Sequence, residues 1–397
     1  MKKILILGGS ENQLPLIKSA KELGYQVILC DYSDNAIGKK YADIFYCVST
    51  LDKEAVLKVA EKEKIDGITT NSEPAMPVVA YVGNELGLPS NPYESIITLS
   101  RKDLFRNFLR DNGFNCPQVY TTDNIRDALD NIYRFKFPLI VKPIDSSGSR
   151  GVKRINSVNE FKNGFETAKS FSKSNQVIIE EFIERSHDYM IGGDIFVLNG
   201  KVIFWGLMNS MRDITVNEFV PVGTSFPTFV NYEQLKTIKN AINKIIELLK
   251  IEFGPFNLEL MFNKDNQLYV IEMNPRNGGN KIPEILKIAT GVDLMRLTVE
   301  ASLGIKDIKL TNYFEEKYVS TYVLHTYKDG ILKNIYYSDE IRNNIIDIKM
   351  NKKIGDNVEK FDNADKLIGI VFMQFNSLVE MNYKLNNINK LIKIEVD

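Results

Sequence analysis

Residues 137–143 are Phe-Pro-Leu-Ile-Val-Lys-Pro, and residues 145–152 are Asp-Ser-Ser-Gly-Ser-Arg-Gly-Val. The first stretch is a continuous apolar run that predicts a buried strand carrying Lys142 near its end. The second is rich in small residues, whose successive backbone N–H groups can converge on phosphate oxygens. It lacks the G-x-x-x-x-G-K-[ST] pattern of a Walker loop, and by itself it also fits a mobile surface loop. A lysine held at the end of a strand is a natural partner for phosphate, so the two stretches together favour a phosphate site.

Two further apolar runs, Phe256–Phe262 and Leu268–Met273, predict a hairpin that carries acidic residues. Three polar side chains lie in it or at its end: Glu259, Glu272 and Asn274. Strand alternation places Glu272 and Asn274 on one face. An unpaired carboxylate is costly to bury, so we expect either a bound cation or structural salt bridges here. Oxygen ligands without His or Cys favour Mg²⁺ shared with phosphate oxygens, and Arg276 just beyond them can clamp a phosphate or an oxyanion.

The N-terminal part alternates predicted strands and helices. The apolar run at 4–7 ends at Gly8-Gly9-Ser10 and predicts a buried parallel strand followed by a tight turn. The pattern then predicts a helix at 13–23, strands at 27–30 and 44–48, a helix at 53–64 and a strand at 67–70. This alternation indicates a doubly wound, Rossmann-like unit that ends near the breaker cluster at 88–92. Asp31 lies where a dinucleotide fold has its acid, but G-x-G-x-x-G is absent, so the turn either binds a nucleotide or shapes a substrate pocket.

The remaining segments carry simpler patterns. They predict one polar-faced helix over 96–112, a strand at 177–181, a hairpin of 195–198 with 202–205, and a helix over 235–249. Beyond residue 310 the chain alternates predicted short strands and turns, without a motif that indicates a function.

Composition excludes several classes of function. The chain has 397 residues, enough for two or three packed units, and its 50 basic and 51 acidic residues leave a net charge of -1. We expect no nucleic-acid partner, because no excess positive charge is available, and no membrane partner, because no run approaches the ~18 apolar residues of a span. The cysteines (Cys30, Cys47, Cys116) and histidines (His187, His325) offer no disulfide framework, zinc site or histidine-dependent nucleophile. Free cysteines and a short apolar start predict a cytoplasmic protein.

In this order, the motifs resemble those of the ATP-grasp superfamily, and most of all its L-amino-acid ligases and carbamoyl phosphate synthetase large subunits. The motifs concerned are Ser100-Arg101-Lys102-Asp103, the Val-Lys-Pro strand with its loop, Glu180-Glu181-Phe182-Ile183, and Glu259 with Glu272-Met273-Asn274-Pro275-Arg276. The resemblance implies an α/β fold with α+β character in the ATP-grasp part. The implied domains are a Rossmann-like pre-ATP-grasp domain (1–95), an ATP-grasp domain (96–310) with a mobile lid at about 118–190, and a small C-terminal α/β closing domain (311–397).

The resemblance also implies roles for individual residues. Lys102 and Lys142 contact the ATP phosphates, with Lys142 also near the adenine. The phosphate loop closes over the β- and γ-phosphates with Ser146, Ser147, Gly148, Ser149 and Gly151, and the hinge at Glu180, Glu181 and Ile183 reads the adenine edge. Many relatives carry a ribose-binding acid where this chain has His187, and we assign that role to the neighbouring Asp188. Glu259, Glu272 and Asn274 bind two Mg²⁺ ions, for which Mn²⁺ is an expected substitute, and Arg276 lies near the acyl phosphate, forming the catalytic set with Lys142.

The implied activity is an ATP-dependent carboxylate–amine ligation. A substrate carboxylate, such as that of an amino acid, is phosphorylated by ATP, and a small amine attacks the acyl phosphate, with release of ADP and phosphate. A homodimer is compatible with this class. One alternative is a purine-pathway type of ligase or carboxylase, which calls for a basic phosphate pocket at the N-terminal strand ends. Another is a non-catalytic ATP-binding regulatory protein, which the intact Lys142, Glu272 and Asn274 argue against.

Overall fold

A computed structural model describes residues 1–146, 148–308, 310 and 317–397. The N-terminal part is a parallel sheet with helices packed against it. Its elements are β1 (Lys3–Leu7), α1 (Leu14–Glu22), β2 (Gln26–Asp31), β3 (Ile44–Cys47), α2 (Lys53–Glu63), β4 (Gly67–Thr69) and α3 (Met76–Glu85). The strand order β3-β2-β1-β4 places β1 between two parallel neighbours, which explains why residues 4–7 are apolar and fully buried. The predicted strand-helix alternation is confirmed.

The turn after β1 is filled by protein. Gly8 has φ 94°. The Gly9 N–H donates to Asp31 Oδ2 at 2.7 Å, and Asp31 Oδ1 accepts from the Ser33 N–H at 2.8 Å. The Gly38 N–H donates to the Gly9 carbonyl at 2.7 Å, which lays the segment at 36–38 over the turn. Asp31 therefore holds the turn together instead of facing a ribose, and the structure gives no support to a nucleotide at this position.

The prediction of one helix over 96–112 is wrong, because the chain forms two helices, α4 (Tyr93–Ser100) and α5 (Lys102–Asp111). Arg101 between them has the extended conformation φ -119°, ψ 121°. The break allows α4 to pack on α3 while Leu99 of α4 still joins Phe105 and Leu109 of α5 in one core. It also makes Lys102 the first residue of α5, where its backbone N–H donates to the Ile144 carbonyl at 3.3 Å.

A small antiparallel sheet follows, with the strand order β5-β8-β6-β7. Its elements are β5 (Val119–Thr122), α6 (Ile125–Asn131), β6 (Leu139–Pro143), β7 (Lys153–Ile155), α7 (Val158–Ser170) and β8 (Val177–Glu181). Phe161 and Phe165 of α7 pack with Val141 and Ile179 in its core. Ile140 pairs with Glu180 and Lys142 with Ile178, so Lys142 and Glu180 lie on the same face.

The middle of the chain forms a longer antiparallel sheet flanked by helices. Its elements are β9 (Met190–Leu198), β10 (Lys201–Asp213), β11 (Asn217–Phe226), α8 (Tyr232–Leu248), β12 (Phe253–Phe262), β13 (Leu268–Asn274), α9 (Ile282–Thr290) and α10 (Leu294–Ser302). The hairpin predicted at 195–198 with 202–205 exists, but both strands are longer. β9 is buried along its whole length, so it shows no alternation of polar and apolar residues, and Gly192-Gly193 interrupts the apolar run.

The C-terminal segment continues the same sheet. Its elements are β14 (Tyr318–Leu324), β15 (Gly330–Tyr337), α11 (Asp339–Arg342), β16 (Ile345–Met350), β17 (Asn357–Val358), β18 (Gly369–Phe375), α12 (Leu378–Asn386), α13 (Ile388–Leu391) and β19 (Ile392–Val396). The sheet runs β13-β12-β9-β10-β11-β14-β18-β16, while β15 pairs with β17 and β19. The division at 310/311 stays a prediction. In the described part of the chain, helices are too short or too polar to cross a bilayer.

Candidate active site

A cavity of about 320 Å³ lies between the small sheet and the long sheet. Ligand sites in proteins commonly measure about 300–1,000 Å³, so the volume suits a bound small molecule. Most of the residues predicted from the sequence line it: Lys102, Lys142, Ser146, Gly148, Ser149, Glu180, Glu181, Ile183, Glu259, Glu272, Asn274 and Arg276. Ser147 lies outside the described residues.

One wall of the cavity carries a buried ionic cluster. Lys142 Nζ contacts Glu180 Oε2 at 2.6 Å, and Arg106 Nε contacts Glu180 Oε1 at 2.8 Å, with all three side chains at most 7% exposed. Burial lowers the pKa of Lys142, and the neighbouring Arg106 lowers it further, against the opposing effect of Glu180. Burial would raise the pKa of Glu180, but Arg106 and Lys142 hold it below its usual value. The cluster fixes Lys142 at the end of β6 in a charged, water-poor environment.

The phosphate loop lies beside Lys102. Lys102 Nζ donates to the Ser146 carbonyl at 2.8 Å and contacts Glu272 Oε1 at 3.2 Å. Burial would lower the pKa of Lys102, but Glu272 and Glu73 raise it above its ordinary value, so the ammonium stays charged. Gly148 and Ser149 both have positive φ, and Ser149 Oγ donates to the Phe219 carbonyl of β11 at 2.7 Å. The loop thus curves over the cavity and is held to the long sheet.

The hairpin β12–β13 presents its polar side chains to the cavity together. Glu259 pairs with Glu272, and Asn257 with Asn274, so alternation places all four on one face. Asn274 Nδ2 donates to Glu272 Oε2 at 3.1 Å. Burial would raise the pKa of Glu272, but Lys102 and Lys142 lower it to about 2.

These side chains fit a divalent cation that takes part of its coordination from elsewhere. The described residues contain no group of three or more His, Cys, Asp or Glu that would form a complete metal site. Two carboxylates and an amide provide oxygen ligands only, and Mg²⁺ bound by one or two carboxylates commonly completes its shell with water and substrate phosphates.

Two predicted residues do not line the cavity. Asp188 is exposed. His187 beside it turns inward: its Nδ1 donates to the Tyr189 carbonyl and its Nε2 accepts from the Phe262 N–H at 3.1 Å, so the next side chain points to solvent. Gly151 has φ 74°, and a Cβ there would stand 3.0 Å from Phe171, which indicates a packing position. Asp188 and Gly151 thus lie apart from the residues that line the cavity, and their assignment to the ribose and to the phosphates stays a prediction.

Sequence reasoning missed an acid, Asp194 of β9, which lies opposite Asn257 of the neighbouring strand β12. It is fully buried, and its carboxylate accepts from Asn257 Nδ2 at 2.8 Å and from the Gly278 N–H at 2.9 and 3.0 Å. Burial raises its pKa to about 6, although the Gly278 and Asn257 hydrogen bonds act in the opposite direction. Asp194 holds the segment that follows Arg276. A charged residue in an otherwise apolar strand was the signal that identified Glu259, and it applies equally to Asp194.

Two arginines were also missed. Arg212 at the end of β10 contacts Glu259 Oε1 through Nη2 at 2.6 Å, and its side chain is only 3% exposed. Arg185 lines the same part of the cavity. Burial lowers the pKa of both guanidinium groups. No local sequence signal identifies Arg212, because its partner Glu259 is 47 residues away and is brought close by the sheet.

The far end of the cavity joins the N-terminal part of the chain. Arg276 Nη2 contacts Glu73 Oε2 at 2.5 Å, and each side chain is 15% exposed. Asn277 Nδ2 donates to Asn71 Oδ1 at 2.9 Å and to Thr298 Oγ1 at 3.1 Å. The arginine predicted to bind an anion is therefore paired with an acid from the segment after β4.

Comparison with known families agrees with this geometry. Residues 17–90 match the ATP-grasp N-terminal domain and residues 135–284 match the ATP-grasp domain, which together span more than half of the chain. The chain belongs to the ATP-grasp superfamily. The ATP-grasp match covers β6, the phosphate loop and the β12–β13 hairpin, which all contribute to the lining of the cavity.

The relatives of this ATP-grasp chain include several different enzymes. It is 25% identical over 323 residues to the carbamoyl phosphate synthase large chain of Pseudothermotoga lettingae, covering 77% of this chain but 28% of that protein. The chain thus spans less than a third of that relative's length. The structure of an L-amino acid ligase from Bacillus licheniformis has a TM-score of 0.80 at 20% identity, covering 100% of this chain and 99% of that one. A phosphoribosylglycinamide synthetase from Anaerococcus prevotii has a TM-score of 0.74 at 25% identity, with both chains covered completely.

Proposed function

We propose that this protein is an ATP-dependent carboxylate–amine ligase that forms an acyl phosphate and releases ADP and phosphate. The observation that supports this most strongly is the pairing of Glu259 with Glu272 across β12 and β13, facing a cavity closed by the phosphate loop. Oxygen ligands for a cation, two lysines and a loop suited to phosphate are the parts that phosphoryl transfer needs. No side-chain nucleophile is required for this chemistry.

Each group of residues has a role in this proposal. Glu259, Glu272 and Asn274 would hold Mg²⁺, or Mn²⁺ in its place, as two ions. Bound Mg²⁺ neutralises charge on the nucleotide phosphates. Lys102 and Lys142 direct their ammonium groups to the phosphates, and the segment Glu180–Ile183 forms the wall for the adenine. Positioning and charge neutralisation supply most of the catalysis in such reactions.

An amino acid is the substrate that the far end of the cavity favours. Arg276 and Glu73 form a close pair of opposite charges there. A zwitterion can replace each partner of that pair, with its carboxylate on Arg276 and its ammonium on Glu73, without leaving either charge unpaired. The second substrate is a small amine. We also propose that the protein forms a homodimer.

A purine-pathway ligase is the second candidate, because a phosphoribosylglycinamide synthetase is among the structural relatives. A formate-dependent phosphoribosylglycinamide formyltransferase from Bacteroides thetaiotaomicron is also 26% identical over 281 residues, covering 70% of this chain and 71% of that one. A substrate of that class carries a phosphate. In this protein the turn after β1 is occupied by Asp31 and the segment at 36–38, which is an unfavourable environment for a phosphate.

Nucleotide turnover with substrate panels tests this proposal. Purified protein with Mg-ATP is incubated with single amino acids, with pairs of them, and with phosphoribosylamine-type substrates, and ADP is measured. We expect ADP release that requires both a carboxylate and an amine. Turnover only with the phosphorylated ribose substrates would establish the second candidate, and ATP binding without turnover on any panel would contradict both.

A further inference from the structure

Both carboxylates of the hairpin are paired with a basic side chain in the structure. Lys102 Nζ lies 3.2 Å from Glu272 Oε1, and Arg212 Nη2 lies 2.6 Å from Glu259 Oε1. The two pairs are arranged alike: each joins one potential metal ligand to one cation that lines the cavity. A metal ion at the hairpin competes with both cations for the same oxygens.

Arg212 is the more confined of the two cations. Its side chain is 3% exposed, compared with 14% for Lys102. Its Nη1 donates to Ser210 Oγ at 2.6 Å and to the Met211 carbonyl at 3.3 Å, contacts that fix its direction but do not neutralise its charge. Among the described residues, Glu259 is the carboxylate that lies within salt-bridge distance of Arg212. A buried guanidinium that loses its carboxylate needs another anion, because an uncompensated buried charge is strongly unfavourable.

A second guanidinium, that of Arg185, lies near Arg212 and also favours binding of an anion. Arg185 lines the same part of the cavity, and its Nη1 is buried without a hydrogen-bond partner among the residues that the structure describes. Burial lowers the pKa of Arg185, against the opposing effect of the negative charges on Glu218, Glu259 and Asp188. Glu259 is thus in contact with Arg212, lies within the electrostatic influence of Arg185, and is also part of the proposed cation site.

We propose that Arg212 is a nucleotide-binding residue that exchanges Glu259 for a phosphate oxygen when the metal takes Glu259. This inference rests on the proposed function, and it adds Arg212 to the nucleotide site and links nucleotide binding to metal binding. Guanidinium groups bind phosphate oxygens well, through two parallel N–H donors. Arg212 blocks the metal site when no nucleotide is present and contributes to nucleotide binding when the metal is present.

The exchange makes metal and nucleotide binding cooperative. Without nucleotide, a divalent cation must separate Glu259 from Arg212 and leave the guanidinium buried without a counter-charge. With nucleotide, a phosphate takes the place of the carboxylate, so that cost disappears. Each ligand therefore raises the affinity for the other by the same factor.

Binding of Mn²⁺ and of a non-hydrolysable ATP analogue to Arg212→Gln tests this inference without measuring catalysis. Free Mn²⁺ is measured by electron paramagnetic resonance on protein without nucleotide, and binding of the analogue by calorimetry in the presence of Mn²⁺. We expect Mn²⁺ alone to bind several-fold more tightly than to the wild type, because its competitor is gone. We expect the analogue to bind about tenfold more weakly, because a charged hydrogen bond to phosphate is lost.

Two further variants complete the experiment. Arg110→Gln is the matched control, because Arg110 pairs with Asp111 on the surface of α5, and both affinities should equal those of the wild type. Arg212→Lys keeps the charge but lacks the planar fork, and it should shift both affinities in the same directions by less. Arg212→Lys replaces the Gln variant if thermal unfolding shows that the latter does not fold.

The outcomes separate the inference from the proposed function. A wild type that binds no analogue with Mn²⁺ contradicts the proposed function. A wild type that binds it, beside an Arg212 variant with unchanged affinity for either Mn²⁺ alone or the analogue, overturns the exchange and leaves the ligase proposal intact. Opposite shifts of the two affinities support the exchange.

Discussion

Single side chains in the cavity are held in opposite-charge pairs. Glu272 faces Lys102, Glu259 faces Arg212, and Arg276 faces Glu73. Pairing lowers the cost of keeping these charges in a partly dry site, and it also keeps their directions fixed. Ligands that bring both charges, such as a metal–nucleotide complex or a zwitterion, can replace the partners without leaving a charge alone.

Removing the carboxylate of Glu272 should remove activity and leave the fold intact. In Glu272→Ala we expect ADP release to fall by more than about 100-fold, since loss of a group that orients a metal already costs about 10–100-fold. Thermal unfolding should remain cooperative, with a midpoint lowered only by the loss of the contact between Lys102 and Glu272. Glu395→Ala, which removes an exposed strand carboxylate on β19, is the control and should keep full activity. Full activity in Glu272→Ala would exclude Glu272 as a metal ligand.

Asp194 should make stability depend on pH in an identifiable window. Its pKa is raised by burial from the ordinary 3.8 to about 6, so the folded state holds its proton more tightly than the unfolded state. The resulting stabilisation is complete below about pH 4 and is lost as pH rises to about 6. The loss amounts to about 3 kcal/mol in the free energy of unfolding.

Chemical unfolding of the wild type and of Asp194→Asn between pH 4 and pH 8 measures this effect. The difference between the two cancels the titration of other groups. We expect the wild type to lose stability relative to Asp194→Asn up to about pH 6 and then no more. A difference that stays constant over the whole range would show that Asp194 has an ordinary pKa in the folded protein.

At the scale of the elements, the close pairing of β9 with β10 shapes the part of the cavity that Gly192 and Gly193 line. Gly193 has φ 107°, and a Cβ built on it would lie 2.1 Å from the Gly206 carbonyl oxygen. Gly254 of β12 has a similar φ of 115°, but a Cβ there would meet nothing within 4 Å. The two glycines share a backbone conformation that side chains rarely adopt, and they differ in the space around them.

Gly193→Ala should therefore be more destabilising than Gly254→Ala. We expect Gly254→Ala to cost about 1–3 kcal/mol from backbone strain, and Gly193→Ala at least about 2 kcal/mol more from the clash with a backbone that cannot move aside. Denaturant unfolding of both variants gives the comparison. Equal losses would mean that the β9–β10 pair is less closely packed than described.

Patterns in the sequence predict strands and helices whose own residues show whether they are buried. They fail where the structure depends on contacts with distant parts of the chain. β1 and β6 were predicted because short apolar runs end at glycine or proline. The break at Arg101 was missed, because apolar spacing continues across it and the packing of α4 on α3 is a tertiary contact. Glu259 and Glu272 stand out in apolar strands, but the Arg212–Glu259 contact depends on strand order, which no local pattern contains.

At the scale of the whole molecule, the site is completed by contact between distant parts of the chain. Glu73 follows β4 of the N-terminal sheet, and Arg276 follows β13 of the long sheet, 203 residues later. Asn71 and Asn277 form a second link beside them. The substrate end of the cavity therefore exists only when the two parts are packed together.

A double-mutant cycle with Glu73→Gln and Arg276→Gln should detect this contact. We expect a coupling of about 1–3 kcal/mol in the free energy of unfolding, because both side chains are largely buried. The exposed pair of Lys39 and Asp34, at a similar distance of 2.6 Å, provides the control cycle. Its coupling should stay below about 1 kcal/mol. Equal couplings in the two cycles would contradict a buried contact between the parts.

The ligase proposal is tested most directly by the substrate dependence of ADP release from Mg-ATP. We expect little ADP with ATP alone or with one substrate, and steady release when an amino acid and an amine acceptor are both present. Under the same conditions, the ligated product should form in equal amount to the ADP. ADP release that is independent of both substrates, or no release with any carboxylate and amine, would contradict a carboxylate–amine ligase.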